Sequence, residues 1–146
     1  MTDPHADPLA DDAFLDAFLD TLIPPGERMP GAGSLGLGAA IRQQVEGNAV
    51  LKAPLAAALS ALHASALTRD PAGLPALDAG ARHELVKAMM AQHPVLGMFP
   101  FVLYIAYYQH PRVREALGQR SGPPFPEGYA IEPTDASLLA KLRRRG

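Results

Sequence analysis

The stretch DDAFLDAFLDTLIPP, residues 11–25, decides the fold class. Phe14, Leu15, Phe18, Leu19, Leu22 and Ile23 recur at i, i+1, i+4, i+5, which puts all six on one face of a helix. Asp11 and Asp12 suit the electropositive first turn. Pro24 and Pro25 withhold the N–H groups a helix needs and push the preceding residue out of helical geometry, so the helix stops near Ile23. On its other side Asp12, Asp16 and Asp20 form an i, i+4 ladder of like charges, which costs a few tenths of a kcal/mol per pair. It reads first as a solvated face and second as a docking surface for a basic partner.

Outward from this helix the same grammar repeats. The run from Pro24 to Gly33 is dense in Pro and Gly and makes a tight, specified excursion. Ser34 is expected to cap a second helix carrying Leu37, Ile41 and Val45. Gly36 and Gly38 should sit in its first turns, where a missing Cβ admits another backbone, and Gly47-Asn48 should end it. Leu51, Leu55, Leu59 and Leu62 stripe an Ala-rich third helix that runs to Leu67, with Pro54 tolerable in its first turn. Asp70-Pro71 and Gly73 break it. Asp78 should cap a fourth helix through Leu85, Val86, Met89 and Met90, the methionines reading as core filler.

Pro94 opens a fifth helix to about Gln109 that holds Phe99, Phe101, Tyr104, Tyr107 and Tyr108, five of the nine aromatics. Apolar nearly all round, it is expected to be the central helix, surrounded by the others and bent at Pro100. Pro111 starts a short turn through Val113 and Leu117 to Gly118. A proline-rich segment over 119–133 follows, pinned by Phe125 and Tyr129. Thr134 caps a last helix with Leu138, Leu139 and Leu142 on one side and Lys141, Arg143, Arg144 and Arg145 near its end. No repeat and no strand pattern competes. The reading is all-α: an irregular bundle of about five to seven helices in one domain over 1–146, with residues 1–8 flexible and 134–146 as the C-terminal helix.

Composition limits what such a bundle does. Leu, Ile, Val and Phe make up about 24% of 146 residues, enough to fold. The absence of cysteine removes disulfides, thiolate metal sites and thiol nucleophiles. A net charge of −2 offers no broad basic footprint, so nucleic acid is not expected as a partner. Residues 95–108, the most apolar run, fall short of the ~20 residues of a spanning helix, so no membrane insertion is expected. The first residues carry no export signal, so the chain is expected in the cytoplasm.

Chemistry is sparse. His5, His63, His83, His93 and His110 include no pair at the i, i+3 or i, i+4 spacing that brings imidazoles to one metal. His93 and His110, each before a proline, read as turn or cap residues, and His63 and His83 as partly exposed helical positions. Di-metal Glu-x-x-His, GxSxG, Walker A and HExxH are all absent. Gly31-Ala32-Gly33 lacks the preceding strand of a dinucleotide loop. No catalytic, cofactor-binding or metal-binding residue is assigned, and no cofactor.

Two groups of segments carry a resemblance. Phe18-Leu19-Asp20-Thr21-Leu22-Ile23-Pro24, followed by Pro30-Gly31-Ala32-Gly33-Ser34-Leu35-Gly36, is similar to the helix, Ile-Pro stop and Pro-Gly-Ala turn of the third, small subunit of gluconate 2-dehydrogenase and related flavin-dependent sugar or alcohol dehydrogenases. Tyr107-Tyr108-Gln109-His110-Pro111-Arg112-Val113 with Leu117-Gly118, then Gly122 to Tyr129, resembles that family's tyrosine-rich helix end and proline-rich tail. The Ala-rich middle matches only in helical character. Carried over from the motifs, Pro24, Pro30, Gly31, His110, Pro111, Gly118 and Gly128 are structural positions.

The resemblance implies a partner: a flavin-containing large subunit that performs the oxidation, often with a multihaem cytochrome c that takes the electrons. It makes this chain a non-catalytic accessory or assembly subunit of an oxidoreductase complex. Tyr107, Tyr108, Phe125 and Tyr129 are the expected contacts, because aromatic side chains give large contact area at low entropic cost. Many relatives begin with a twin-arginine signal and this sequence does not, which leaves either a cytoplasmic partner or a divergent role. Two other readings stay open: a stand-alone or self-associating helical module without a redox role, and a small enzyme or ligand-binding bundle using a His or Tyr between helices.

Overall fold

The computed structural model describes residues 7–119. The expected contacts Phe125 and Tyr129, the motif glycine Gly128, the proline-rich segment beyond 119 and the helix over 134–146 all lie outside the described residues. Asp7 and Pro8, expected in a flexible leader, already belong to a turn in which the Asp7 carboxylate accepts from Leu9 N at 3.0 Å, with Pro8 buried.

Six α-helices and three 3₁₀ turns follow one another, with no strand among the described residues. They are α1 (Asp12–Leu22), α2 (Gly38–Glu46), α3 (Ala49–Arg69), α4 (Ala79–Gln92), α5 (Phe99–Gln109) and α6 (Pro111–Ala116). The 3₁₀ turns span Ala32–Leu35, Leu74–Ala76 and Pro94–Met98. The all-α irregular bundle read from periodicity is what forms.

Helix starts follow capping chemistry. Asp11, Asn48 and Asp78 each accept a hydrogen bond from the backbone N–H three residues on, at 3.1, 3.1 and 2.8 Å, satisfying donors that the first turn leaves free. His110 Nδ1 accepts from Arg112 N, two residues on, at 3.3 Å, so His110 is the cap its place before Pro111 suggested. Ser34 does not cap α2. Its hydroxyl donates to Gly31 O at 2.8 Å inside a 3₁₀ turn, and α2 begins only at Gly38, after Gly36 has taken φ +64°. Pro54 falls in the second turn of α3 and not the first; the carbonyl it deprives, that of Val50, lies in an exposed turn where water can serve it.

The centre of the bundle is α1, not α5. Phe14, Leu15, Phe18 and Leu19 have no exposed surface, and α1 packs against α2, α4 and the turns at 32–35 and 74–76. Two phenylalanines and two leucines buried on one short helix make it a major contributor to the core. By contrast α5 packs against α2, α6 and the 94–98 turn, and leaves its outer side open. Its polarity is uniform, so only the number of neighbours available decided which side was covered.

Nor does Pro100 bend α5. It occupies the first turn, where its missing N–H has no helical acceptor to satisfy, and the change of direction happens earlier. The α4 axis and the segment from Pro94 to Gln109 meet at 112° around His93-Pro94. Among the described residues one helix, α3, is long and apolar enough by composition to cross a membrane. Here it buries Leu55, Leu59 and Leu62 against α2, α4 and the 94–98 turn.

His63 departs from the sequence reading as well. It is 2% exposed, and its ring meets Phe14 edge-on at 5.1 Å with neither nitrogen bonded. The cause is helical phase: Leu59, Leu62, His63 and Ala66 lie at i, i+3, i+4, i+7 on the inward face of α3. His83 is exposed on α4, as expected.

Candidate partner interface

The two motif groups, far apart in sequence, meet in space. Tyr107 Oη donates to Pro30 O at 2.7 Å, joining the tyrosine-rich end of α5 to the loop after α1. Burial, then the neighbouring Tyr108, raise the Tyr107 pKa, which keeps the phenol a donor. Tyr107 is therefore a packing residue, 2% exposed, and not the surface contact expected of it. A phenol that closes a long loop by bonding its carbonyl must point inward.

The loop is tied to α1 and its C-cap at two places, through Ile23 O and Asp20, and is closed on itself at a third. Ala32 N donates to Ile23 O at 3.0 Å, Gly26 N to Met29 O at 2.9 Å, and Gly33 N to Asp20 Oδ1 at 2.7 Å. Any Cβ on Gly33 would collide with the Asp16 carbonyl and the Asp20 carboxylate, and one on Gly31 with Asp20 and Pro25. The close-approach glycines are thus Gly31 and Gly33, whereas Gly36 has open space around it and Gly38 meets only side chains of Leu15 and Arg42.

The Asp12, Asp16 and Asp20 ladder is accordingly not a free solvated face. Asp20 receives Gly33, and Asp12 pairs with Arg42 Nη1 at 2.8 Å while the same nitrogen donates to Leu9 O at 2.9 Å. Between them Asp16 has a raised pKa, from desolvation first and then from Asp12 and Asp20, partly offset by Arg42. Its ladder partners are used to hold the loop and the N-terminal turn.

An open groove of about 370 Å³ runs between this loop and α6, lined by Arg28, Met29, Pro30, Ser34, Arg112 and Ala116 among others. The outer side of α5 carries Phe101, Tyr104, Ile105 and Tyr108, respectively 71%, 47%, 42% and 50% exposed. At 100° per residue these four fall within an arc of about 100°. Met98 extends the stripe at its start, and Leu117 stands exposed just beyond α6. The rings of Tyr104 and Tyr108 lie 6.1 Å apart, and Tyr108 meets Tyr107 edge-on at 5.3 Å.

Of the expected contacts, then, Tyr108 is on a surface and Tyr107 is beneath it. Phe101 and Tyr104, on a helix expected to be surrounded, are exposed as well, because nothing in a uniformly apolar helix marks its outer side. Of the motif positions, Pro24 and Pro111 punctuate helices, Pro30 accepts the Tyr107 bond, Gly31 lies against α1, and Gly118 takes φ +73° after α6. Among the described residues no three His, Asp or Glu side chains converge in a way that could hold a metal ion.

A family model described as gluconate 2-dehydrogenase subunit 3 matches residues 10–122, which includes the Ile-Pro stop, the Pro-Gly-Ala turn and the tyrosine-rich helix end. No curated protein and no solved structure matches significantly. The first motif group and the tyrosine-rich part of the second, up to Gly118, fall within the matched span and are bonded to each other through Tyr107 and Pro30; the match covers most of the chain, which belongs to the gluconate 2-dehydrogenase subunit 3 family.

Proposed function

We propose that this chain is a non-catalytic accessory subunit that docks on the flavin-containing large subunit of a gluconate-dehydrogenase-like sugar or alcohol dehydrogenase, through the outer side of α5. The observation that carries the reading is the stripe of Phe101, Tyr104, Ile105 and Tyr108, four large apolar side chains held on one rigid helix and left uncovered by the described residues. Contiguous exposed apolar surface rimmed by polar groups is typical of protein contacts, and aromatic residues dominate their energetics. The subunit in the family's name supplies the kind of partner. The loop over 24–31, tied to α1 and to Tyr107, holds the C-terminal end of α5 in place, so the stripe is preorganised.

Co-expression with a flavin-containing dehydrogenase large subunit tests this. The unchanged chain should be captured with the flavoprotein. Phe101→Glu combined with Tyr108→Glu should lose capture while keeping its helical circular dichroism spectrum. Undiminished capture by the double variant would overturn the surface, and dehydrogenase activity of the purified chain alone would overturn the accessory role.

A further inference from the structure

Away from the α5 stripe, a cleft lies between the end of α1 and α4. It has two adjoining parts that share Thr21 and His83. One, of about 410 Å³, is bounded by Pro24 and Pro25 and by the first turn of α4, with Asp20 and Arg82 in its lining. The other, of about 260 Å³, is walled by Leu22, Val86, Met90 and Pro100, with Lys87 among them. Together they reach the size at which pockets take a small molecule, and a polar part leads into an apolar one.

The positive charges of this cleft are unspent. Arg82 and Lys87 form no ion pair among the described residues, and Arg82 Nε is buried without a hydrogen-bond partner. A desolvated, unpaired donor on a cation is costly, and an anion at the guanidinium's outer nitrogens offsets that cost. His83 adds an N–H donor in either protonation state. Asp20, the single acid in the lining, has Oδ1 engaged by Gly33 N at 2.7 Å, which holds its carboxylate toward the loop. A peptide would find few partners for its backbone here, because Pro24, Pro25 and Pro100 have no N–H and most of the remaining wall is helix already bonded along α1 and α4. One anionic group on an apolar body makes no such demand.

We propose that the cleft binds a single-chain aliphatic carboxylate, its head at Arg82 and His83 and its chain over Leu22, Val86, Met90 and Pro100. The planar guanidinium suits a carboxylate, and Lys87 adds a second positive charge. Arg82 and Met90 are eight residues apart on α4, about 12 Å, which is roughly the length of ten extended carbons. The exposed stripe takes no part, so the site stands whether or not the function proposed above holds.

Titration calorimetry of the full chain with sodium decanoate tests this. One molecule should bind per chain, decanol should bind about tenfold more weakly, and acetate should not bind, since head and chain are both needed. Arg82→Gln should weaken decanoate by about tenfold and leave decanol unchanged. Arg69→Gln, at an exposed arginine ending α3, should alter neither. Met90→Glu should abolish binding, with far-ultraviolet circular dichroism showing each variant folded. Decanol matching decanoate in the unchanged chain would overturn the site, because that pattern reports apolar surface alone. So would decanoate affinity that survives Arg82→Gln, or the lack of any saturable binding. Capture of the chain by phosphatidylcholine vesicles carrying oleate, without binding of free decanoate, would make a membrane the target and overturn it as well.

Discussion

At the scale of single residues, the fold depends on polar groups that either found partners or did not. Tyr107 found one, and Tyr107→Phe should cost about 1 kcal/mol by removing the donor to Pro30 O. Its pKa is raised by folding, so the protonated form is favoured in the native state, and the advantage is complete below the unfolded value and lost as pH rises through the folded one. The gap between the two proteins in chemical denaturation should therefore close in strong alkali. Asp16 has the same sign with the opposite meaning, because its raised pKa shows that the ionised carboxylate is disfavoured in the native state. Asp16→Asn should be at least as stable as the unchanged chain at pH 7, with any difference fading as pH falls toward the ordinary carboxylate value of about 3.9. A variant that melts lower at neutral pH would contradict that. His63, unbonded at 2% exposure, should be improved on by Leu: relief of an unsatisfied buried polar group is worth about 1–3 kcal/mol, readable as a higher melting temperature.

At the scale of elements, boundaries were decided by caps and prolines, and most were legible. Asp11 and Asp78 announce α1 and α4, the Pro24-Pro25 pair ends α1, and His110-Pro111 opens α6. In the glycine-rich run the expected start at Ser34 fails, because Ser34 bonds locally within its own turn and Gly36 takes φ +64° before α2 begins at Gly38. Pro100 gives a sharp test of the α5 boundary. In a first turn it leaves no acceptor unsatisfied, so Pro100→Ala should change stability by less than about 0.5 kcal/mol. In a helix interior the same substitution would recover about 3 kcal/mol, and a large gain in the urea midpoint would move the start of α5 back toward Pro94.

At the scale of the whole molecule, α1 is enclosed and α5 stands at the edge, which gives two phenylalanines two residues apart opposite fates. Phe99, 2% exposed against Phe18 at a ring distance of 5.0 Å, should lose about 3–5 kcal/mol on substitution by Ala. Phe101, 71% exposed, should change global unfolding by less than about 0.5 kcal/mol on the same substitution. Equal losses measured by denaturation would put α5 back in the centre. From residues alone came the all-α class, the positions of the helices, most of their caps and the motifs that mark the family, since each depends on interactions within a few residues or on local pattern. Only the tertiary structure decided which helix lies at the core, which side of a uniformly apolar helix faces out, that His63 is buried and that Tyr107 closes the loop at Pro30. Those outcomes depend on which surfaces compete for cover when the helices assemble, a competition between segments distant in the chain that local pattern does not encode.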